Sequence, residues 1–258
     1  RNAFAILFLS LFSMVYADTM PAPAAPVIGA KGYLVMDSTT GYELAALNAD
    51  ESLAPASLTK IMTTYVVFSA LKQDQISFDD EVTISEKAWR TEGSRMFVEV
   101  GKRVSVRDLL MGMIVQSGND ASVALAEHIA GSEGVFAEMM NQHAAAIGMH
   151  SSHFQNATGL PGDDHRTTAR DLAILARALI EEFPEYYPLH AEKEFTYNGI
   201  KQSNRNSLLW RDDSVDGLKT GHTEAAGYCL VASAKRDNMR IISVVLGTSS
   251  TKAREDGT

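Results

Sequence analysis

Strand-like segments crowd the two ends of this 258-residue chain, and helix-like segments fill its middle. Near the start, the apolar runs 32–37 and 42–47 are joined by Ser38-Thr39-Thr40-Gly41, a turn composition that predicts a hairpin. Near the end, 195–200, 215–220, 227–234 and 240–247 read as strands, the last two joined through Lys235-Arg236-Asp237-Asn238. Strands so far apart in sequence bury their apolar faces most simply in one sheet. The order therefore predicts an α+β fold: an antiparallel sheet from N- and C-terminal strands, flanked by helices, with a mainly helical region inserted between them. It does not read as a βαβ repeat.

The inserted region has its own punctuation. A helix is expected to begin at Ser57, after Pro55, with Ile61, Met62, Tyr65, Val66 and Ala70 at a period that buries the helix below its Ser57/Lys60 tip. Ser105 with Asp108 forms a capping box ahead of the stripe Leu109, Leu110, Met113 and Ile114, and that helix stops at Gln116-Ser117-Gly118-Asn119. Further helices are expected over 120–130 and about 134–147. Thr168 and Asp171 open another, with stripe Leu172, Leu175, Ala176, Leu179 and Ile180, closed by Pro184. Residues 73–105 read as loops with small ribbons at 81–84 and 96–100.

A chain of this length that is 45% hydrophobic and 21% charged can bury one large core or two lobes. Its net charge of −9, with no basic block longer than two residues, argues against a phosphate-tracking nucleic-acid surface. Residues 3–14 are apolar, too short to span a bilayer, and end at the small-x-small site Val15-Tyr16-Ala17. Residues 1–17 thus read as a secretory signal, the alternative being a buried N-terminal helix. An Ala/Pro-rich tether at 18–31 and one folded domain at 32–258 follow. Cys229, the only cysteine, allows no intrachain disulfide and reads as a buried strand thiol.

The chemistry sits in short motifs. In Ser57-Leu58-Thr59-Lys60 the first and last residues share a helix face, which puts an amine beside a hydroxyl: a nucleophile with its base. The pattern alone is weak, since Ser249-Ser250-Thr251-Lys252 also fits it without a long apolar helix behind. Ser117-Gly118-Asn119 and Lys219-Thr220-Gly221 then follow in order, and the three together are specific. A rival cluster, His150, His153, Asp163, Asp164 and His165, has the spacing of metal ligands but no His-x-His or His-Glu-x-x-His, so no metal site is expected.

With these motifs the chain resembles, over about 32–247, the D-alanyl-D-alanine carboxypeptidases of the low-molecular-mass penicillin-binding protein group. The runs that carry the likeness are 55–63, 116–121, 168–171 and 216–223. The resemblance implies the fold shared by DD-peptidases and serine β-lactamases. It implies Ser57 as nucleophile, a neutral Lys60 as base, Ser117 as proton relay and Asn119 as a holder of the substrate backbone. Burial, the helix N-terminus and Lys219 would all lower the Lys60 pKa. Lys219 and Thr220 would face the substrate's terminal carboxylate, with Arg254 as a further basic contact. The backbone N–H groups of Ser57 and His222 would form the oxyanion hole, and Gly221 would clear the way for a peptide adding to the edge strand 215–220. The resemblance also implies no cofactor, peptidoglycan stem peptides as substrates, β-lactams as covalent inhibitors and a periplasmic location. A β-rich domain and an amphipathic inner-membrane anchor are expected beyond Thr258. Two other readings stay open: a β-lactamase, disfavoured because Ser-Gly-Asn replaces Ser-Asp-Asn and no Glu-x-x-Leu-Asn follows, and a non-catalytic penicillin sensor or cell-wall scaffold.

Overall fold

The computed structural model describes residues 27–258, so the segment read as a secretory signal and most of the tether lie outside the described residues. The two ends of the chain do meet in one sheet. β1 (Gly32–Asp37) and β2 (Glu43–Leu47) form the first hairpin, and β7 (Val215–Thr223), β8 (Gly227–Arg236) and β9 (Met239–Thr248) form the C-terminal meander. The spatial order is β2-β1-β9-β8-β7, antiparallel throughout, with Leu34 opposite Val244 where first strand meets last. Five consecutive residues of β8 (229–233) and of β9 (242–246) are buried. Side chains alternate along a strand, so such a run requires cover on both faces.

Between these strands lie α1 (Thr59–Lys72), β3 (Glu81–Thr83), α2 (Glu86–Arg90), β4 (Arg103–Ser105), α3 (Val106–Val115), α4 (Asn119–Ala130), α5 (Glu133–Ile147) and α6 (Ala169–Glu182). The hairpin β5 (Glu194–Tyr197) and β6 (Ile200–Ser203), then α7 (Leu208–Arg211), lead into β7, and α8 (Thr251–Asp256) follows β9. Helix α6 packs on β1 and β9, and α8 packs on β8 and β9. No helix among the described residues is long and apolar enough to cross a membrane.

Two local expectations are corrected, and one is exceeded. Helix α1 is buried as expected, and on every side: every residue from Thr59 to Leu71 is buried, because α3, α4, α5, α6 and β7 surround it. Its polar side chains are accommodated by hydrogen bonds, Thr63 Oγ1 donating to Ala157 O at 2.7 Å and Thr64 Oγ1 to Lys60 O at 2.8 Å. Residues 96–100 form no strand; β3 pairs instead with β4, and the backbone at 96–98 finds other partners, described below. The strand expected at 195–200 is the β5–β6 hairpin, which turns at Asn198-Gly199 with positive φ at both residues, as a tight two-residue turn requires.

At both expected capping boxes the N-cap half forms, without a reciprocal bond from the Asp side chain to the cap N–H. Ser105 Oγ accepts from Asp108 N at 3.1 Å, and Thr168 Oγ1 accepts from Asp171 N at 3.0 Å. Asp171 in turn accepts from Ser151 N and Ser152 Oγ, tying the long loop at 150–168 to the start of α6. Thr168→Ala should therefore cost about 1 kcal/mol and lower the calorimetric Tm by roughly 2–4 °C; an unchanged Tm would mean that the cap contributes nothing.

Candidate active site

The Ser/Lys pair sits where α1 begins, with one change from expectation. Ser57 lies in a 3-10 turn, Ala56–Leu58, and the α-helix starts only at Thr59. In a 3-10 turn residues three apart nearly eclipse, so the tighter winding still brings the pair together. Lys60 Nζ lies 3.1 Å from Ser57 Oγ. The same nitrogen donates to Asn119 Oδ1 and to Thr158 O, each at 2.6 Å. These partners come from the turn, from α4 and from the 150–168 loop.

Lys60 is 1% exposed and meets no carboxylate within ion-pair distance among the described residues. Burial holds its pKa well below the ordinary 10.5, and the charges of Lys219 and Arg205 add to the effect, with Asp120 opposing. A neutral amine has two hydrogens and one lone pair. With the hydrogens on Asn119 Oδ1 and Thr158 O, the lone pair faces the Ser57 hydroxyl and can accept its proton.

Ser117 links α3 to α4 with φ of +65°, and its buried Oγ has no hydrogen-bond partner among the protein groups. Asn119 is engaged at both ends of its amide, Oδ1 by Lys60 and Nδ2 by Glu92 O at 2.6 Å, which leaves one Nδ2 hydrogen free. Across the cleft, β7 is the sheet edge, as expected. Gly221 on that strand faces the 3-10 turn at 56–58: an added Cβ would lie 3.2 Å from both Pro55 O and Leu58 Cγ. Its missing side chain thus makes room for the turn that carries Ser57, rather than for an incoming peptide.

Ser57, Ser117, Thr220, Gly221, His222 and Arg254 line one cleft of ≈ 490 Å³. Ser94, Arg205, Tyr228 and Thr251 complete its wall. The His222 ring packs on Tyr228 with centroids 4.1 Å apart. Lys219 is buried just behind, its Nζ donating to Thr220 O at 3.1 Å. Burial, with Arg205 and Arg254 nearby, lowers the Lys219 pKa to about 7. Among the described residues only Arg254 of these cations meets a carboxylate, that of its neighbour Glu255 at 3.5 Å. Lys219 and Arg254 are buried while Arg205 is exposed, and buried charges are usually paired, so the cluster has the charge to receive an anion. Sequence reasoning missed Arg205 and Ser94. Arg205 stands between two asparagines with no motif around it, and only Asn206, whose Nδ2 donates to Gly217 O, ties it to β7.

The decoy motif is a surface cap: Ser250 Oγ accepts from Ala253 N, and the exposed Lys252 pairs with Asp256. Among the described residues no three His, Cys, Asp or Glu side chains gather closely enough to hold a metal ion. His153 pairs with Asp164. His165 accepts from Gln155 N at Nδ1, so its proton lies on Nε2, which meets Thr59 Oγ1 at 2.8 Å; burial pushes its pKa down to about 4. Cys229 is a buried strand thiol, as expected, and accepts from Gly247 N.

This fold, with its three motifs around one cleft, is that of the penicillin-binding DD-peptidases. The chain belongs to the D-alanyl-D-alanine carboxypeptidase family, whose sequence profile matches residues 19–250. It is 48% identical to the D-alanyl-D-alanine carboxypeptidase DacC of Escherichia coli over 254 residues, which cover 96% of this chain and 64% of DacC. The DacA enzyme of Haemophilus influenzae is also 48% identical, with the same two coverages. The chain thus spans somewhat less than two thirds of these relatives. Penicillin-binding protein 5 of Haemophilus influenzae superposes with a TM-score of 0.88 at 49% identity, covering 90% of this chain and 69% of that one. Penicillin-binding protein D2 of Listeria monocytogenes, solved in an ampicillin-bound form, gives 0.83 at 31% identity, with coverages of 90% and 95%.

The two buried lysines have a consequence for stability. From about pH 7, where folded Lys219 loses its proton, up toward its ordinary value of 10.5, the unfolded chain binds more protons than the folded one. Lys60 acts in the same direction. Stability contributed by these groups should rise with pH across that window, until the raised pKa values of Cys229, from near pH 9, and of Tyr65, Tyr187 and Tyr197, from near pH 10, begin to oppose it. The urea midpoint is expected to be higher at about pH 9 than at about pH 7 for the parent protein, and the difference should shrink in Lys219→Met. A difference that Lys219→Met leaves untouched would contradict the lowered pKa of Lys219.

Proposed function

We propose that this chain is the catalytic part of a periplasmic serine DD-carboxypeptidase that removes the terminal D-Ala from peptidoglycan pentapeptides through an acyl-enzyme on Ser57. The observation that carries the proposal is the Lys60 amine, buried beside unpaired cations and holding two acceptors, so that its lone pair is left for Ser57. Ser57 Oγ attacks the carbonyl carbon of the penultimate D-Ala as its proton passes to Lys60 Nζ. The oxyanion is stabilised by the backbone N–H groups of Ser57 and His222. The C–N bond breaks as a proton, relayed through Ser117 Oγ, reaches the departing D-Ala nitrogen. Water then cleaves the ester by the reverse proton path, releasing the shortened peptide and restoring Ser57. Lys219, Thr220, Arg205 and Arg254 receive the terminal carboxylate. The peptide backbone lies along β7, and the free Nδ2 hydrogen of Asn119 remains for it.

β-Lactams present a carboxylate and a strained amide in the same relation, so they acylate Ser57 in place of substrate. The ampicillin-bound relative supports this part of the reading. The apolar leader at 3–14 and a substrate found in the cell wall favour the periplasm, and inner-membrane attachment through a segment following Thr258 belongs to the same proposal.

Mass spectrometry after benzylpenicillin treatment should place one adduct on the peptide containing Ser57, and Lys60→Ala should cut the acylation rate by roughly 10²- to 10⁴-fold while the protein still folds. An adduct on Ser249, or a folded Lys60→Ala protein that acylates normally, would sink the assignment. On one preparation, D-Ala should be released from peptides ending in D-Ala-D-Ala, in the presence of EDTA, and release should stop with penicillin. Sustained turnover of a chromogenic cephalosporin without D-Ala release would instead establish the β-lactamase reading.

A further inference from the structure

Asp120, the residue after the Ser-Gly-Asn motif, is 1% exposed and takes no part in the chemistry above. Its carboxylate accepts four backbone N–H groups. Oδ1 takes Met96 N at 3.0 Å and Ala121 N at 2.9 Å, and Oδ2 takes Phe97 N at 3.0 Å and Val98 N at 3.3 Å. Met96, Phe97 and Val98 belong to the strandless segment between α2 and β4, where no sheet partner exists for these amides. Phe97 is held at φ of +71° although its ring is half exposed, a conformation an aromatic residue keeps only when its surroundings impose it.

That segment reaches directly into the site. Its Ser94 O accepts from Asn119 N at 2.7 Å, its Glu92 O accepts from Asn119 Nδ2 at 2.6 Å, and Ser94 itself lines the cleft. Asn119 Oδ1 is one of the two acceptors that orient the Lys60 amine. Two further contacts key the segment from other sides: Gln202 Nε2 donates to Met96 O at 3.1 Å, and the Met96 side chain lies over Gly112. At Gly118 an added Cβ would lie 2.8 Å from Asp120 Oδ1 and 3.2 Å from Met96 N, so the middle of the motif is glycine where the carboxylate and the docked segment pass over it.

We infer that Asp120 is a positioning residue for the Ser57–Lys60 pair: it docks the 92–98 segment onto the start of α4 and thereby fixes Asn119 against the Lys60 amine. The inference rests on the proposed acyl transfer at Ser57. Asp120 also supplies the negative charge that opposes Lys219 on β7 and Arg205 ahead of α7 in setting the protonation of Lys60. Asp120→Asn should have two effects that a purely structural residue would not combine. Loosened geometry lowers the plateau of the acylation rate, and loss of the negative charge leaves Lys60 neutral to lower pH, which moves the acid limb of the pH–rate profile downward.

The test measures acylation of Ser57 by benzylpenicillin as a function of pH in the full chain and in Asp120→Asn, with amide hydrogen exchange on both. Expected are a plateau lower by roughly 10- to 100-fold, an acid limb displaced to lower pH, and faster exchange at Met96, Phe97 and Val98 while the amides of α1 stay protected. A folded Asp120→Asn protein with the parent's rate and acid limb would overturn the inference. Should that variant fail to fold, exchange in the parent decides: protected amides at 96–98 support the clamp, and amides exchanging as fast as exposed loop positions refute it. A parent protein that is not acylated at Ser57 would refute the proposed function instead, a result visible before any variant is made.

Discussion

One buried amine sets the terms for much of this structure. Sealing an unpaired ammonium in a protein interior costs on the order of several kcal/mol, so Lys60 escapes part of that cost by shedding its proton, and the neutral amine still needs its hydrogens bonded. The acceptors come from segments about 60 and 100 residues away, Asn119 at the head of α4 and Thr158 in the loop before α6. Holding them in place is a task shared by the Asp171 cap, which anchors that loop, and the Asp120 carboxylate, which anchors the segment over Asn119.

The same crowding accounts for glycines at three places around the site. Gly159, at φ of +85°, crosses the 3-10 turn at 56–58 so closely that a Cβ would sit 1.8 Å from Ala56 O. Gly221 lets β7 press against that turn, and Gly118 lies beneath the Asp120 carboxylate. Each is a close approach between backbones or between backbone and carboxylate, and each brings separate elements to within reach of Ser57. The glycine in the middle of Ser117-Gly118-Asn119 thus has a packing cause.

Around the amine the charges form a gradient of commitment. Lys60 is fully enclosed and points at Ser57, Lys219 is enclosed one layer behind the cleft, and Arg205 and Arg254 reach its wall. Burial first, and then the charges of the neighbouring cations, lower the proton affinity of both lysines and leave the arginines charged. In the proposed mechanism this one arrangement would serve both the activation of Ser57 and the recognition of a carboxylate.

Much of this was legible in the sequence, for identifiable reasons. Turn composition and β-rich runs at both ends specify strands locally, and their separation leaves few ways to bury them other than one sheet. The N-caps at Ser105 and Thr168 are local hydrogen bonds and read directly. The three motifs mark Ser57, Lys60, Ser117 and Lys219 because each is a short run whose chemistry needs adjacent residues. Other features depend on distant partners and were not legible. Complete burial of α1 follows from five elements closing around it, which no period of 3.6 reveals. The placement of Arg205 and Ser94 on the cleft wall, the close packing at Gly221 and the capture of three amides by Asp120 arise only when segments about 20 to 170 residues apart come into contact. The sequence by itself determined which elements form and which residues carry reactive groups, since those are set by neighbours along the chain; the tertiary structure alone decided the protonation of the lysines and the aim of the Lys60 amine, since burial and through-space charge exist only after folding.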